Sequence, residues 1–178
     1  MLFKLMHQFN YVPNAFNIGI TIPIPKSSSN AKVVTSVDFR GITISPVFSK
    51  IFESCLLKMA NKYLNTSDLQ FGFKKGSGCS HAIYTVRSTV EYFNVNNSTV
   101  NLCAIDLCKA FDKVNHYALF TKLLDRNVPR TIVAILKCWY SKVFTTVKWN
   151  QSFSCKVKLE TGVRQGGILS PYLFAVFC

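Results

Sequence analysis

The feature that most constrains this chain is a short apolar run at residues 100–105, VNLCAI, which ends in the carboxylate of Asp106. Side chains alternate between the two faces of a strand, so Cys103 and Ile105 would share one face and Asp106 would share the other with Ala104. A carboxylate at the end of a buried strand is costly unless it meets a cation. The run therefore predicts a buried strand that brings Asp106 to a positive partner, and a bound metal ion is the natural one.

The residues that follow, 107–113, read LCKAFDK and favour a phosphate site. A turn over 107–110 would present backbone N–H groups just ahead of a helix, where phosphate binds well. Asp112 would lie near the start of that helix and could cap its free N–H groups. We therefore assign the chemical role to Asp106 and a structural role to Asp112. From this stretch alone, two capping or surface acids remain the simpler interpretation.

The charge balance favours a polyanionic partner. The chain has 21 Lys and Arg against 8 Asp and Glu, a formal charge of +13. Such an excess attracts nucleic acid, although a solvated basic surface or a piece of a larger protein would explain it too. Seven cysteines without a CxxC pair predict reduced thiols in an intracellular protein. The N-terminus is a poor secretion signal, and no apolar run approaches the roughly 20 residues that span a bilayer.

Strands and helices mix without strict alternation, which predicts an α+β fold. β-branched residues at 18–26 predict a strand, which its two prolines confine to the edge of a sheet. Ser45 and Pro46 predict the cap and first position of a helix. Further signals predict helices over 115–127 and from 129, and a lysine-rich hairpin around 149–152. The apolar stripes of two helices are predicted as Phe48, Phe52, Cys55, Leu56, Met59 and Tyr63, and as Ile83, Val86, Val90 and Phe93.

Four stretches, in this order, resemble motifs of the reverse transcriptase of non-LTR (LINE-type) retrotransposons. The first two, DFRGITISPVFSKIFE (38–53) and QFGFKKGSGCSHAI (70–83), resemble its fingers motifs. The third, AIDLCKAFDKVNH (104–116), resembles the motif that carries the first catalytic aspartate, and GVRQGGILSPYLF (162–174) resembles a palm motif. Each stretch alone is moderately specific, but four in the right order make a strong match.

The resemblance covers nearly the whole chain and implies the fingers and an incomplete palm of a right-hand polymerase. Residues 1–99 would be fingers and residues 100–178 part of the palm. The implied activity is RNA-directed DNA polymerase, a nucleotidyltransferase that extends a primer 3′-hydroxyl with two Mg²⁺ ions. The implied partners are an RNA template, a DNA primer and a dNTP, in the nucleus and cytoplasm, without membrane attachment or secretion.

The resemblance also implies roles for individual residues. Asp106 would be the catalytic carboxylate and a metal ligand, together with the backbone carbonyl of Leu107. The implied nucleotide-binding residues are Arg40, Lys109, Ala110, Phe111, Gln165 and Gly166, with Lys26 or Lys32 assisting. The implied template-binding residues are Gln70, Phe71, Gly72 and Arg164.

Three of these assignments have plainer alternatives. Phe111 would be the steric gate that rejects a 2′-hydroxyl, but by residue type alone it is more often a core aromatic. Arg40 would grip the triphosphate, but such an arginine is more often a surface or salt-bridging residue. Gln165 would lie under the nucleotide, or it could belong to a plain tight turn. The ordered set of motifs, and no single member, favours the functional interpretation.

The chain also departs from the family pattern. Gly41 stands where proline usually follows the arginine, and residues 76–80 lack an arginine often found there. The [YF]-x-Asp-Asp hairpin, which supplies the remaining metal-binding carboxylates, and the thumb do not occur. We therefore expect a fragment truncated before that hairpin, with doubtful Mg²⁺ binding and no activity by itself. The alternatives are a non-catalytic basic nucleic-acid-binding remnant, or an unfolded product whose apolar segment 168–178 would be exposed.

Overall fold

The structure is a computed structural model that describes residues 1–26 and 35–178. The helices are α1 (Leu2–Phe9), α2 (Asn14–Asn17), α3 (Val47–Ala60), α4 (Cys79–Val95), α5 (His116–Asp125), α6 (Arg130–Tyr140) and α7 (Ser170–Phe177). The strands are β1 (Ile18–Pro25), β2 (Phe39–Ile44), β3 (Phe144–Trp149), β4 (Ser152–Phe153) and β5 (Val157–Lys158). Short 3-10 turns occupy Ser36–Asp38, Asn61–Tyr63 and Ala110–Lys113. This mixture confirms the predicted α+β class.

A mixed sheet has the strand order β2-β1-β3-β4, with β5 also paired to β3. Strand β1 is antiparallel to β2 through Pro25, but it is parallel to β3 only over residues 18–21. The prediction that this strand lies at a sheet edge is therefore wrong for residues 20 and 21, which pair with β2 on one side and β3 on the other. It holds for residues 22–25, where β2 is the partner strand in the described part of the chain.

The two prolines of β1 explain where β3 leaves it. The Lys26 N–H donates to the Asp38 carbonyl at 2.8 Å, on the β2 side. Because N–H groups alternate sides along a strand, the nitrogens of Pro23 and Pro25 face the β3 side. Proline has no N–H to donate, so pairing with β3 ends at Thr21. A cleft opens between the two strands beyond that point.

The hydrophobic core draws on residues from both sides of position 99. Helix α5 packs against α6 and α7, and α1 packs against α6. The fully buried side chains include Met6, Val12, Phe52, Leu56, Val114, Leu119, Leu123, Ile135, Leu173 and Val176. In the described part of the chain, no helix combines the length and the apolar character needed to cross a bilayer.

Helix α3 turns a different face inward than the apolar spacing predicts. Phe52 and Leu56 are buried as predicted, but Phe48 and Met59 of the same predicted stripe are exposed. The buried face instead includes two polar residues, Ser49 and Glu53. Ser49 donates to the Phe16 carbonyl at 3.4 Å, and Glu53 accepts backbone N–H groups. Because these backbone partners lie inside the protein, Ser49 and Glu53 face the interior. Phe48 and Met59, on the other side of the helix, face solvent.

Two predictions of burial are wrong. None of the residues of α4 is buried, and Ile83, Val86 and Phe93 of its predicted stripe are exposed. The predicted strand at 100–105 has no strand pairing, and its residues 101–105 are exposed. A strand needs a neighbour for its backbone N–H and C=O groups, and the described residues provide none for this segment. Asp106 is consequently exposed rather than placed at the end of a buried strand.

Replacing Phe52 by alanine should lower the free energy of unfolding by about 3–5 kcal/mol. The buried Phe52 ring lies 5.2, 6.3 and 5.4 Å from the rings of Phe3, Phe16 and Trp139, measured between centroids. The control is Phe48→Ala on the same helix, where the ring is 65% exposed. That change should alter stability by no more than about 0.5 kcal/mol. Urea unfolding followed by circular dichroism measures both, and equal losses would contradict the orientation of α3.

Candidate active site

An open cleft of about 930 Å³ lies where β1 and β3 separate. Strands β1, β2 and β3, the segment around Asp106 and the loop at Gln165 form its walls. The cleft brings together five residues of the predicted site, from distant parts of the sequence. They are Arg40, Asp106, Leu107, Lys109 and Gln165. Lys26 also lines the cleft, whereas Lys32 lies outside the described residues.

Phe111 is held in a cluster of three aromatic rings. Its ring stacks on that of Phe174, with centroids 4.6 Å apart and planes at 16°. The ring of Phe73 meets both edge-on, at 5.7 Å from Phe111 and 5.8 Å from Phe174. Phe111 is half-buried and is not among the residues that line the cleft. This packing is what we expect if Phe111 is a core aromatic residue.

The predicted template residues Gln70, Phe71 and Gly72 lie in the loop between α3 and α4 and do not line the cleft. The Gln70 side-chain amide donates to the Gly72 carbonyl at 3.4 Å. In the same loop, Lys74 pairs with Asp68 at 3.0 Å. Phe71 is half-buried and Gly72 is exposed. The structure does not bring this group together with Asp106.

Arg164 is inside the protein and only 8% exposed. Its guanidinium donates hydrogen bonds to the backbone carbonyls of Asn17 and Phe144 and to the hydroxyl of Ser45. It thereby joins the residue before β1, the first residue of β3 and the residue after β2. These oxygens engage the two terminal nitrogens of Arg164, and its contact with the template stays a prediction. Ser45 accepts from this arginine, and no side chain caps α3.

Glu53 is a buried carboxylate that the sequence analysis did not single out. It accepts the backbone N–H groups of Ile168 at 2.5 Å and Leu169 at 3.1 Å, just ahead of α7. Burial raises its pKa, although these hydrogen bonds and the charge of Arg164 act in the opposite direction. Burial likewise lowers the pKa of Arg164. Its position in the sequence could have indicated burial. Glu53 follows Phe52 and precedes Leu56 by three residues, which places it on the buried face of the helix.

The loop at 162–163 fixes the turn that follows Asp106. Gly162 donates its N–H to the Val114 carbonyl at 2.8 Å, and Val163 donates to the Phe111 carbonyl at 2.9 Å. Gly162 has a φ of 87°, and a Cβ there would lie 2.9 Å from the Asp112 carbonyl oxygen. Only glycine suits both the left-handed conformation and this close approach.

Asp112 does not cap a helix as predicted. It lies in the 3-10 turn Ala110–Lys113 and lines the cleft. Helix α5 begins at His116, and the side chain of Asn115 caps it by accepting the Ala118 N–H at 3.0 Å. The helix begins within one residue of its predicted start at 115, and the 3-10 turn that contains Asp112 comes before it. The asparagine with its side-chain oxygen therefore takes the capping position.

The turn at Gln165 and Gly166 is attached to β2. The Thr43 N–H donates to the Gln165 carbonyl at 2.7 Å. Gly166 has a φ of 109°, and a Cβ there would lie 2.6 Å from the Thr43 carbonyl oxygen. The backbone contact between this turn and β2 thus sets the position of Gln165 in the cleft.

The carboxylates of the cleft do not make up a complete two-metal centre. Two-metal transfer of a nucleotide requires a set of oxygen ligands around both ions. Within residues 1–26 and 35–178, no three His, Cys, Asp or Glu side chains are grouped so that they could hold an ion. The cleft offers Asp106 and Asp112, and residues 27–34 add no acid to the sequence.

Comparison with known proteins decides the family. Residues 24–178 match the family described as reverse transcriptase (RNA-dependent DNA polymerase). The chain belongs to the reverse transcriptase family. Members of this family generally use divalent metal ions.

The curated relatives of this reverse transcriptase come from non-LTR retrotransposons, which confirms the resemblance seen in the motifs. It is 24% identical over 181 residues to the probable RNA-directed DNA polymerase from transposon X-element of Drosophila melanogaster, covering 99% of this chain and 20% of the relative. It is 25% identical over 184 residues to the RNA-directed DNA polymerase from mobile element jockey of Drosophila funebris, covering 99% and 19%. The type-2 retrotransposable element R2DM polyprotein of Drosophila melanogaster is 24% identical over 163 residues, covering 92% and 15%. The chain spans about a fifth or less of the length of these relatives.

Replacing Glu53 by glutamine should change how stability depends on pH. Burial raises the folded-state pKa of Glu53 above its ordinary value of 4.5. The stabilisation linked to this group is therefore fully present below pH 4.5 and is lost as the pH rises through the folded-state pKa. The free energy of unfolding of the wild type minus that of E53Q should fall across this window. Urea titrations at several pH values measure the difference, and a pH-independent difference would contradict the assignment.

Replacing Gly162 by alanine should destabilise the protein by about 2–4 kcal/mol. Alanine is strained at this positive φ, and its Cβ would lie too close to the Asp112 carbonyl oxygen. The matched control is Gly72→Ala, where a Cβ would meet nothing within 4 Å. That variant should stay within about 0.5 kcal/mol of the wild type. Thermal unfolding measures both. A tolerated alanine at 162 would show that the turn after Asp106 is not held by this loop.

Proposed function

We propose that this reverse transcriptase segment forms the nucleotide-binding part of an RNA-templated DNA polymerase site, in the cleft beyond the end of the β1–β3 pairing. The observation that carries the proposal is that residues of three separate motifs, Arg40, Asp106 and Gln165, line that cleft together. In this proposal residues 1–99 are the fingers and residues 100–178 are part of the palm. The ligands are a dNTP, an RNA template and a DNA primer.

Positive side chains supply the binding of phosphate. Lys26, Arg40 and Lys109 line the cleft. A guanidinium offers paired hydrogen bonds to phosphate oxygens, and an ammonium adds a mobile point charge. Arg40 is exposed and has no acidic partner within 4.0 Å in the described part of the chain, so its donors are available. The backbone N–H groups of Lys109 and Ala110 would complete the phosphate contacts.

Asp106 is the carboxylate that this chain would contribute to catalysis. Its side chain is exposed in the cleft, with Leu107 beside it. Its carboxylate and the Leu107 carbonyl are oxygen donors of the kind that Mg²⁺ prefers. Two carboxylates in one cleft are too few for a pair of ions, so we expect the 178-residue chain alone not to polymerise.

The remaining predicted residues define the borders of the proposed site. Gln165 and Gly166, held against β2, would contact the base pair formed by the nucleotide and the template. Phe111, fixed by its aromatic neighbours, would limit the space on the sugar side. The loop containing residues 70–72 would follow the template strand further from the cleft.

A non-catalytic nucleic-acid-binding module is the second candidate function. The formal charge of +13 favours it, and so does the incomplete set of carboxylates. Such a module would bind a primed template in the same salt-dependent way. It would not bind more tightly when a matching dNTP is added, because it has no nucleotide site.

Binding of the purified chain to a primed RNA should weaken with salt, with log K falling by about 0.7–0.9 per phosphate contact for each log unit of salt. Arg40→Gln should reduce that slope by about one contact and abolish any strengthening by a matching dNTP. The control is Arg87→Gln on α4, outside the cleft, where Arg87 already pairs with Glu91 at 2.7 Å. Fluorescence anisotropy at several salt concentrations measures the slopes.

The same samples separate the two candidates. Strengthening by a matching dNTP that depends on Arg40 supports the polymerase site, and its absence supports the non-catalytic module. No magnesium-dependent incorporation of dNTP is expected from the chain alone. Robust incorporation would contradict the argument from the carboxylates.

A further inference from the structure

We propose that Trp149 and Phe39 form a stacking platform for a base of single-stranded nucleic acid at the rim of the cleft. This proposal rests on the proposed function, because it adds a base contact to the same cleft. Neither residue belongs to the predicted site.

The geometry of the pair leaves the indole available. Trp149 is 54% exposed and lines the cleft together with Phe39. The two rings meet edge to face, with centroids 5.3 Å apart and planes at 76°. An edge-to-face contact fixes the orientation of a ring without covering both of its faces. The indole is therefore held in place while much of its surface remains open to solvent.

The fold explains why an indole is presented here. Trp149 ends β3, pairs with Ser152 of β4 and precedes the turn residue Asn150, whose φ is 53°. Phe39 begins β2 and is paired with Pro25 at the end of β1. Strands β2 and β3 are separated by β1 in the sheet, so the two rings meet across the end of β1. The contact thus spans the rim of the cleft that the strand separation opens.

The charges around the platform identify its ligand. Lys26 and Arg40 line the same cleft. Aromatic surface combined with cations that follow a phosphate backbone is how proteins bind single strands without reading sequence. Bases inside a duplex are stacked on each other and offer no free face. The pattern therefore favours an unpaired base with its phosphates over an uncharged ligand.

The test compares short oligonucleotides with and without bases, by fluorescence anisotropy with the purified 178-residue chain. Trp149→Ala should weaken binding to oligothymidylate or oligouridylate about 5- to 150-fold, the effect of losing one base–aromatic stack. It should not change binding to an abasic oligonucleotide of equal length. Trp149→Phe keeps a ring and should retain part of the affinity.

Two controls separate stacking from loss of fold or charge. Phe153→Ala removes another exposed ring from the same hairpin, 57% exposed and outside the cleft lining, and should leave affinity unchanged. Quenching of indole emission by a base-bearing oligonucleotide should disappear in Trp149→Phe, since the other tryptophan, Trp139, is buried. This second readout does not depend on the alanine variant being folded.

The outcomes distinguish the platform from the phosphate site. If Arg40→Gln weakens binding to both kinds of oligonucleotide and Trp149→Ala weakens neither, the platform is overturned while the proposed cleft stands. If neither substitution matters, both proposals are overturned. An equal loss on base-bearing and abasic strands also overturns the platform. A larger Trp149 effect on uridylate assigns the site to RNA, and a larger effect on thymidylate assigns it to DNA.

Discussion

The guanidinium of Arg164 connects the strands on which the cleft depends. Removing such a group from water is costly, and the cost is offset only when oxygens replace its hydration. Here the oxygens belong to Asn17, Ser45 and Phe144, which adjoin β1, β2 and β3. Arg40 lies in β2, Trp149 lies in β3, and Lys26 directly follows β1. The hydrogen bonds of the buried Arg164 therefore help to position the cleft side chains on all three strands.

The turn after Asp106 is held by backbone contacts, which leaves its side chains free for chemistry. Carbonyls of the turn receive N–H groups from the loop at 162–163. The same loop leads through Arg164 to Gln165, whose carbonyl is bound by Thr43. One short stretch of chain therefore sets the distance between the aspartate segment and β2.

Local signals predicted the elements that depend on neighbouring residues, such as α6 after Pro129 and the hairpin at 149–152. Asp106 and the turn after it were singled out by local pattern, whereas Arg40 and Gln165 were predicted only through the order of the motifs. The burial of Arg164 and Glu53 was not predicted, because charged residues are normally exposed and the hydrogen-bond partners of these two lie as far away as 147 and 116 positions in the sequence. The prediction of a strand at 100–105 was wrong for a related reason. A strand needs a neighbouring strand to pair with its backbone N–H and C=O groups, and a local sequence pattern does not show whether one is present.

Pro23 and Pro25 have a consequence beyond separating β3 from β1. The free side of a strand is a template on which another chain can align and extend the sheet, and unprotected edges lead to aggregation. Along the cleft, the two ring nitrogens replace the N–H donors that such an intruding chain would need. The opening therefore admits ligands that bind through side chains and charge, and it resists being filled by a foreign β-strand.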